Sequence, residues 1–311
     1  MTNQLITVFG GSGFLGRYVV QALLKTGARV RIAVRNPQDA LYLKTQGGLG
    51  QTQFVAADIR KPDSVARAVA GSDAIINLVG ILKGDFQAFH VDGARNVAEA
   101  ASAAGVTSFV QVSAIGADPA SPSAYGKSKG DGEAAVRAAF PTATILRPSI
   151  IFGREDQFVN RFANLIRLLP VVPIIKGDAK FQPVYVGDVA KAAVAAISNP
   201  KMHGGNIYEL GGPEVISMGG LNRWIAQATG RRRGFIDMPD FVAGAMASGL
   251  GSLPGAPMTK DQWLMLQSDN IVASDAKGLS AFRIVATPLE SVADGWLVQY
   301  KRHGRFAGKA G

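Results

Sequence analysis

Gly10-Gly11-Ser12-Gly13-Phe14-Leu15-Gly16-Arg17 follows the apolar run Leu5-Ile6-Thr7-Val8-Phe9 directly and opens a segment that reads as a helix through Leu24. The stretch satisfies G-x-G-x-x-G from Gly11 and G-x-x-G-x-x-G from Gly10. Glycines at this spacing allow a tight strand-to-helix turn. They also let the backbone approach a pyrophosphate, whose charge meets the helix N-terminus. Turns are often glycine-rich, so the pattern alone is weak; the strand before it and the helix after it make it specific. Gly10, Gly11, Ser12, Gly13, Phe14, Leu15, Gly16 and Arg17 are therefore candidate nucleotide-binding residues.

The chain beyond this loop repeats the same alternation. Short apolar runs at Val30–Val34, Phe54–Ala57, Ala74–Val79, Phe109–Val112 and Thr144–Leu146 are separated by periodic segments at Val65–Val69, Gly93–Ala104 and Gly130–Ala139. Buried strands alternating with helices predict βαβ units, and hence an α/β fold with a doubly wound parallel Rossmann-like sheet. After Gly153 the pattern loosens, then returns over Pro183–Ile197. The expected division is a dinucleotide-binding domain over 1–152 plus about 181–200, and a smaller C-terminal α/β substrate domain from 153–180 and 201–311.

Composition removes whole classes of chemistry. The 311 residues are 47% hydrophobic and 18% charged, as in a globular chain. There is no cysteine, which excludes disulfides, thiolate metal sites and cysteine nucleophiles. Three histidines, His90, His203 and His303, stand too far apart in sequence to suggest a metal site. The net charge is +10. It is concentrated at the ends: Arg17, Lys25, Arg29, Arg31, Arg35 and Lys44 face one acid, Asp39, and Lys301, Arg302, Arg305 and Lys309 face none. Arg231-Arg232-Arg233 is the one compact basic run and reads as a solvated turn after Gly230. No recognition-helix or aromatic pattern accompanies it, so nucleic acid is not an expected partner. The uncharged stretch Phe241–Thr259 is broken by four glycines and two prolines and does not read as a membrane span. No targeting segment precedes the first strand, so the chain reads as cytoplasmic or as an already processed form.

The end of the second strand bears on nucleotide choice. An NAD-selective site places a carboxylate there for the ribose 2′-hydroxyl. This chain has Val34-Arg35-Asn36, with no acid before Asp39. Arg17 and Arg35 suit a 2′-phosphate, which favours NADP(H) over NAD(H). Asp58 and Ile59 close the third strand, where Asp58 is placed to face the adenine amino group. Asn77-Leu78-Val79-Gly80 closes the fourth, which puts Leu78, Val79 and Gly80 beside a cofactor ribose.

A catalytic set follows. Ser113 ends the fifth strand, and twelve residues later Tyr125-Gly126-Lys127-Ser128-Lys129 contains Tyr-x-x-x-Lys. One helical turn separates Tyr125 from Lys129, so an ammonium can lower the phenol's pKa while Ser113 polarises a substrate oxygen.

With these residues in place the sequence resembles the short-chain dehydrogenase/reductase superfamily, in its extended or atypical branch. Further segments narrow the resemblance: Arg147-Pro148-Ser149-Ile150-Ile151-Phe152-Gly153-Arg154-Glu155-Asp156, Asn160-Arg161-Phe162-Ala163, Gln182-Pro183-Val184-Tyr185-Val186-Gly187-Asp188, and Tyr208-Glu209-Leu210-Gly211-Gly212-Pro213. These look like the family of NADPH-binding accessory subunits of respiratory complex I and their bacterial relatives, within the NAD-dependent epimerase/dehydratase group. The resemblance implies tight NADPH binding and a role in assembling or stabilising complex I near its quinone region. It also implies association with complex I subunits. The basic C-terminal residues Lys301, Arg302, Arg305 and Lys309 are the candidates for contact with an anionic lipid surface or an acidic subunit, on the cytoplasmic face of the inner membrane or the matrix side. Pro148 and Ser149 correspond to a corner beside the nicotinamide. His90 stands where extended members often carry asparagine, and it reads otherwise as a helix-face residue. Asp188 reads as a helix N-cap. Two functions compete: an accessory protein that carries its nucleotide as a structural ligand, and an NADP-dependent oxidoreductase or epimerase acting on a quinone-related or other small apolar substrate with Ser113, Tyr125 and Lys129.

Overall fold

The computed structural model describes residues 1, 3–250, 258–302 and 304 (of Leu250, the backbone alone). His303, Arg305, Lys309 and the middle of the uncharged stretch lie outside the described residues. The chain forms two compact units, one built from Met1–Pro148, Val186–Leu210 and Ala273–Val285, the other from Ser149–Tyr185, Gly211–Val272 and Ala286–Gly311.

The first unit is a sheet wrapped by helices. Its strands are β1 (Leu5–Phe9), β2 (Arg29–Val34), β3 (Thr52–Ala56), β4 (Ala74–Asn77), β5 (Ser108–Val112) and β6 (Thr144–Pro148), joined by Ile207–Leu210. Their spatial order is Ile207–Leu210, β6, β5, β4, β1, β2, β3, and every pairing is parallel. The order reverses between β1 and β4, and in such sheets the crevice at the strands' carboxyl ends is where ligands bind. β4 and β5 are buried throughout, as expected of strands covered on both faces. In β1 the one polar side chain, Thr7, is satisfied: its hydroxyl lies 2.7 Å from Ser72 Oγ.

Helices α1 (Phe14–Leu24), α2 (Pro62–Val69), α3 (Gly93–Ala103) and α4 (Ala124–Ala139) make the crossovers. α1 buries Leu15, Val19, Val20, Leu23 and Leu24, one face at helical spacing. The seventh strand differs from the expected division, in which 201–210 belonged to the smaller domain. Ile207 pairs with Ile145 and Leu210 with Pro148. Without that partner β6, buried at four of its five residues, would be an open edge. The helix Val186–Ser198 leads to it as a buried, alanine-rich crossover.

The second unit has its own core, centred on Phe152, Ile166, Val172, Ile225 and Leu297. Helix Val159–Leu168 packs there with helix Met218–Ala228, beside a parallel ribbon of Val171–Ile175 and Gly234–Met238. Asp156 caps the first of these helices: its Oδ1 accepts from the backbone N–H groups of Phe158 at 2.8 Å and Val159 at 2.6 Å, and its Oδ2 from Gly153. The Gly153–Asp156 motif thus builds a helix start. Among the described residues no helix is long and apolar enough to cross a membrane.

Candidate functional site

The glycine loop closes β1 onto α1. Gly10 N–H donates to the Ala33 carbonyl at 3.1 Å, and Gly13 N–H turns back to the Gly10 carbonyl at 3.0 Å. A side chain at Gly16 would collide with the Gly10 and Gly11 backbone, so the helix can rest against the loop only because nothing is there. Gly13, the N-cap, offers no side-chain acceptor, which leaves the N–H groups of the first turn to an outside anion. These are the features a pyrophosphate needs. Tyr42, on the 3₁₀ segment Pro37–Gln46, straps the loop by donating to the Ser12 carbonyl at 2.8 Å, and the Arg17 guanidinium stacks over its ring at 5.1 Å. Nothing in the sequence pattern marks Tyr42, because its contact is made across thirty residues of chain.

Arg35 extends from the end of β2 with its side chain exposed. Asp39, the nearest acid, is engaged by the Asn36 amide at 3.0 Å. Arg31, by contrast, is no free surface cation: it donates at 2.7 Å to the carbonyls of Ala68 and Ala70. The Asp58 carboxylate is held by Arg60, 2.6 Å away, and this hydrogen bond is the main cause that keeps its pKa low. Ile59 is a core side chain, 4% exposed. Leu78, Val79 and Gly80 run directly behind the loop; a Cβ on Gly10 would stand 3.3 Å from Val79 Cγ2. Asn77 fixes their course by accepting from Val79 N–H at 3.2 Å while its amide donates to Gln111 at 2.9 Å.

Ser113, Tyr125 and Lys129 converge at the ends of β4 and β5. Lys129 Nζ donates to the Val112 carbonyl, next to Ser113, at 3.4 Å and lies 5.8 Å from the Tyr125 ring centre. A Cβ on Gly80 would come within 3.3 Å of the same ammonium. Ser113 Oγ is enclosed and has no hydrogen-bond partner among the described residues, an acceptor and donor left unused. Burial pushes the Tyr125 phenol up to about 12 and Lys129 down to about 8. The expected lowering of the phenol by the ammonium is therefore outweighed by desolvation. At neutral pH Tyr125 is a protonated phenol and Lys129 largely an ammonium: an acid and a cation, with no base between them.

His90 departs most from its sequence reading. It lies 3% exposed in a π-helical turn, Gln87–Asp92. Its Nε2 accepts from Ile81 N–H at 2.9 Å, so Nδ1 carries the proton toward Ser128 Oγ, also at 2.9 Å, and Ser128 in turn donates to the Tyr125 carbonyl at 2.8 Å. Phe86 stacks on the ring at 5.3 Å and Tyr125 meets it edge-on at 5.5 Å. Burial, aided by the Lys129 charge, lowers His90 to about 3, so the imidazole stays neutral. The ring ties the strand-end loop to the Tyr125 helix. His90 is thus an enclosed residue of the π-turn that leads into α3, where the sequence reads a residue on a helix face.

The remaining candidates are structural in their contacts. Arg147 makes a two-armed pair with buried Glu133, at 2.9 and 2.7 Å. Pro148, the last residue of β6, accepts from Ile115 N–H at 3.0 Å. Ser149, in the second unit, gives its hydroxyl to Asn270. Asp188 is the third residue of helix Val186–Ser198, not its cap, and is paired with Lys191 at 2.9 Å.

A model of the NAD dependent epimerase/dehydratase family matches residues 6–211, which take in the sheet, the glycine loop and the Ser-Tyr-Lys set. The chain belongs to this family. Within it, the chain is 38% identical over 298 residues to the mouse mitochondrial NADH dehydrogenase [ubiquinone] 1 alpha subcomplex subunit 9, covering 93% of this chain and 78% of the relative. It is 34% identical over 320 residues to the Arabidopsis thaliana subunit of the same name, covering 98% and 80%. Among solved structures, an NADPH-dependent quinone oxidoreductase of Escherichia coli, complexed with NADPH, shares the fold with a TM-score of 0.76 at 24% identity, over 93% of this chain and 98% of the other. Membership places the protein in an NAD(P)-binding family with a Rossmann-like sheet.

Proposed function

We propose that the protein binds NADP(H) at the Gly10–Arg17 loop and serves as an accessory component of respiratory complex I, with the nucleotide as a structural or regulatory ligand. One observation carries the nucleotide choice: Arg35 stands exposed where an NAD-selective site needs a carboxylate, and Asp39 is already engaged. Assignment to complex I is supported by likeness to its subunits along nearly the whole chain. A resting role fits the enclosed Ser113 hydroxyl and the high Tyr125 pKa, which leave no group to take a proton from a substrate alcohol at neutral pH.

The second reading, an oxidoreductase working toward reduction, is favoured by the same protonated phenol. When bound, the reduced nucleotide supplies hydride; Tyr125 would hold and give a proton at its phenolic oxygen, Lys129 would orient the ribose hydroxyls, and Ser113 would bind the carbonyl oxygen. Denaturing the purified protein and identifying the released nucleotide tests the first point. NADPH should predominate, and Arg35→Gln should weaken NADPH by about 10–100-fold, one charge-assisted bond, while leaving NADH nearly unchanged. NADH in the released fraction, or equal losses for both nucleotides, would sink the assignment. Oxidation of the bound NADPH on adding quinones or small carbonyls, lost in Tyr125→Phe, would select the second reading. Absence of the protein from purified complex I and its assembly intermediates would remove the first.

A further inference from the structure

The second unit carries a group of arginines that the nucleotide site does not use. Arg231 Nε donates to the Tyr300 carbonyl at 2.9 Å, and Arg167 lies over the Tyr300 ring at 5.9 Å. Arg233 donates at 2.8 Å to the Ile166 carbonyl and at 3.4 Å to that of Arg167. Arg302 follows two residues after Tyr300, and Arg232 is exposed between its two neighbours. Among the described residues none of these five makes an ion pair with a carboxylate. Their mutual repulsion is felt: after burial, the charges of Arg233, Arg167 and Arg302 lower the Arg231 pKa. Cations held together by backbone carbonyls and left uncompensated make an anion-binding surface.

Apolar side chains adjoin them. Leu168, next to Arg167, is 64% exposed; Val171 is 44% and Ile236 62% exposed. The ribbon's register pairs Gly234 with Val171 and Ile236 with Pro173, so these residues share its outer face, while Val172 faces the core. The two strands therefore present an apolar face beginning one residue after Arg233.

We propose that Arg167, Arg231, Arg232, Arg233 and Arg302, with Leu168, Val171 and Ile236, form a surface that docks on an anionic phospholipid bilayer. The guanidinium groups meet phosphate headgroups and the exposed aliphatic side chains enter the interface between them. Charge complementarity selects this occupant: five cations that make no ion pair among the described residues suit a phosphate layer, and the apolar neighbours suit the boundary beneath it. The surface places the membrane contact in the Arg231–Arg233 turn, which the sequence presents only as solvated. It is independent of nucleotide binding.

Cosedimentation of the full chain with vesicles tests it, using phosphatidylcholine alone or mixed with phosphatidylglycerol. The protein should bind the mixed vesicles and release them as salt rises. Arg232→Glu with Arg302→Glu should weaken binding by about 25-fold or more, at about fivefold per basic residue lost. Leu168→Ser with Ile236→Ser should weaken it several-fold at unchanged charge. Arg67→Glu with Arg137→Glu, exposed residues of the first unit carrying the same change in charge, should retain most of it. An equal loss in this control would show a net-charge effect and overturn the site. No loss in the serine pair would also overturn it, as the mark of a soluble acidic protein or other polyanion in place of a bilayer.

Discussion

His90 shows how one residue's environment becomes a measurable pH dependence. Its pKa is about 3 in the folded protein, held down by burial and by Lys129, against 6.5 when unfolded. The unfolded chain therefore binds a proton first. The stability His90 contributes is complete above pH 6.5 and is lost as pH falls toward 3. Between pH 6.5 and 4.5 the wild-type protein should lose about 2 kcal/mol more than a His90→Asn variant, as read by urea unfolding at the two pH values. Parallel curves would mean that the imidazole is not neutral in the fold. Lys129 follows the same sign in a higher pH window. Its pKa drops from 10.5 to about 8, so at pH 7 the folded protein carries a buried ammonium at a cost. Lys129→Met should raise the stability of the nucleotide-free protein by about 1–3 kcal/mol at pH 7, with the gain fading between pH 8 and 10.5. Thermal melts across that range check both the sign and the window.

At the scale of elements, the site depends on places where backbones touch. Gly16 lets α1 reach the loop, and Gly132 lets α4 rest against the His90 carbonyl of the π-turn; a side chain at either would overlap backbone. Gly16→Ala should cost at least about 3 kcal/mol and abolish detectable nucleotide binding, measured by unfolding and by fluorescence titration. The Arg147–Glu133 pair joins β6 to α4, with Glu133 side chain 6% exposed and Arg147 22%. Glu133→Gln removes the two-armed carboxylate and leaves the Arg147 guanidinium with Glu209 alone, at 3.7 Å, a loss of about 1.5–3 kcal/mol in unfolding free energy. The elements themselves were legible. Leu5–Phe9 matches β1 residue for residue, and the alternation of apolar runs gave six parallel strands. The π-turn was not, because a widened segment of six residues is too short to show a period of its own in the apolar spacing.

At the scale of the whole molecule, the first unit is assembled from three separate stretches of chain. A fragment ending at Pro148 would contain every predicted nucleotide residue except Ser149, yet lack both the strand that pairs with β6 and the helix Val186–Ser198 that packs against α1. Such a fragment should aggregate or unfold without a cooperative transition in circular dichroism, whereas the full chain melts cooperatively.

The sequence by itself determined the parallel sheet, the glycine loop at its head and the presence of Ser113, Tyr125 and Lys129, because each rests on local spacing: strand periodicity, a strand-turn-helix junction, one helical turn. Tertiary structure decided what those groups can do. Burial keeps Tyr125 protonated and His90 neutral, Arg60 takes the Asp58 carboxylate, Tyr42 straps the loop, and Arg167, Arg231 and Arg302 gather round Tyr300 from three distant segments. Desolvation and long-range charge depend on neighbours brought together by folding, and no spacing along the chain records them.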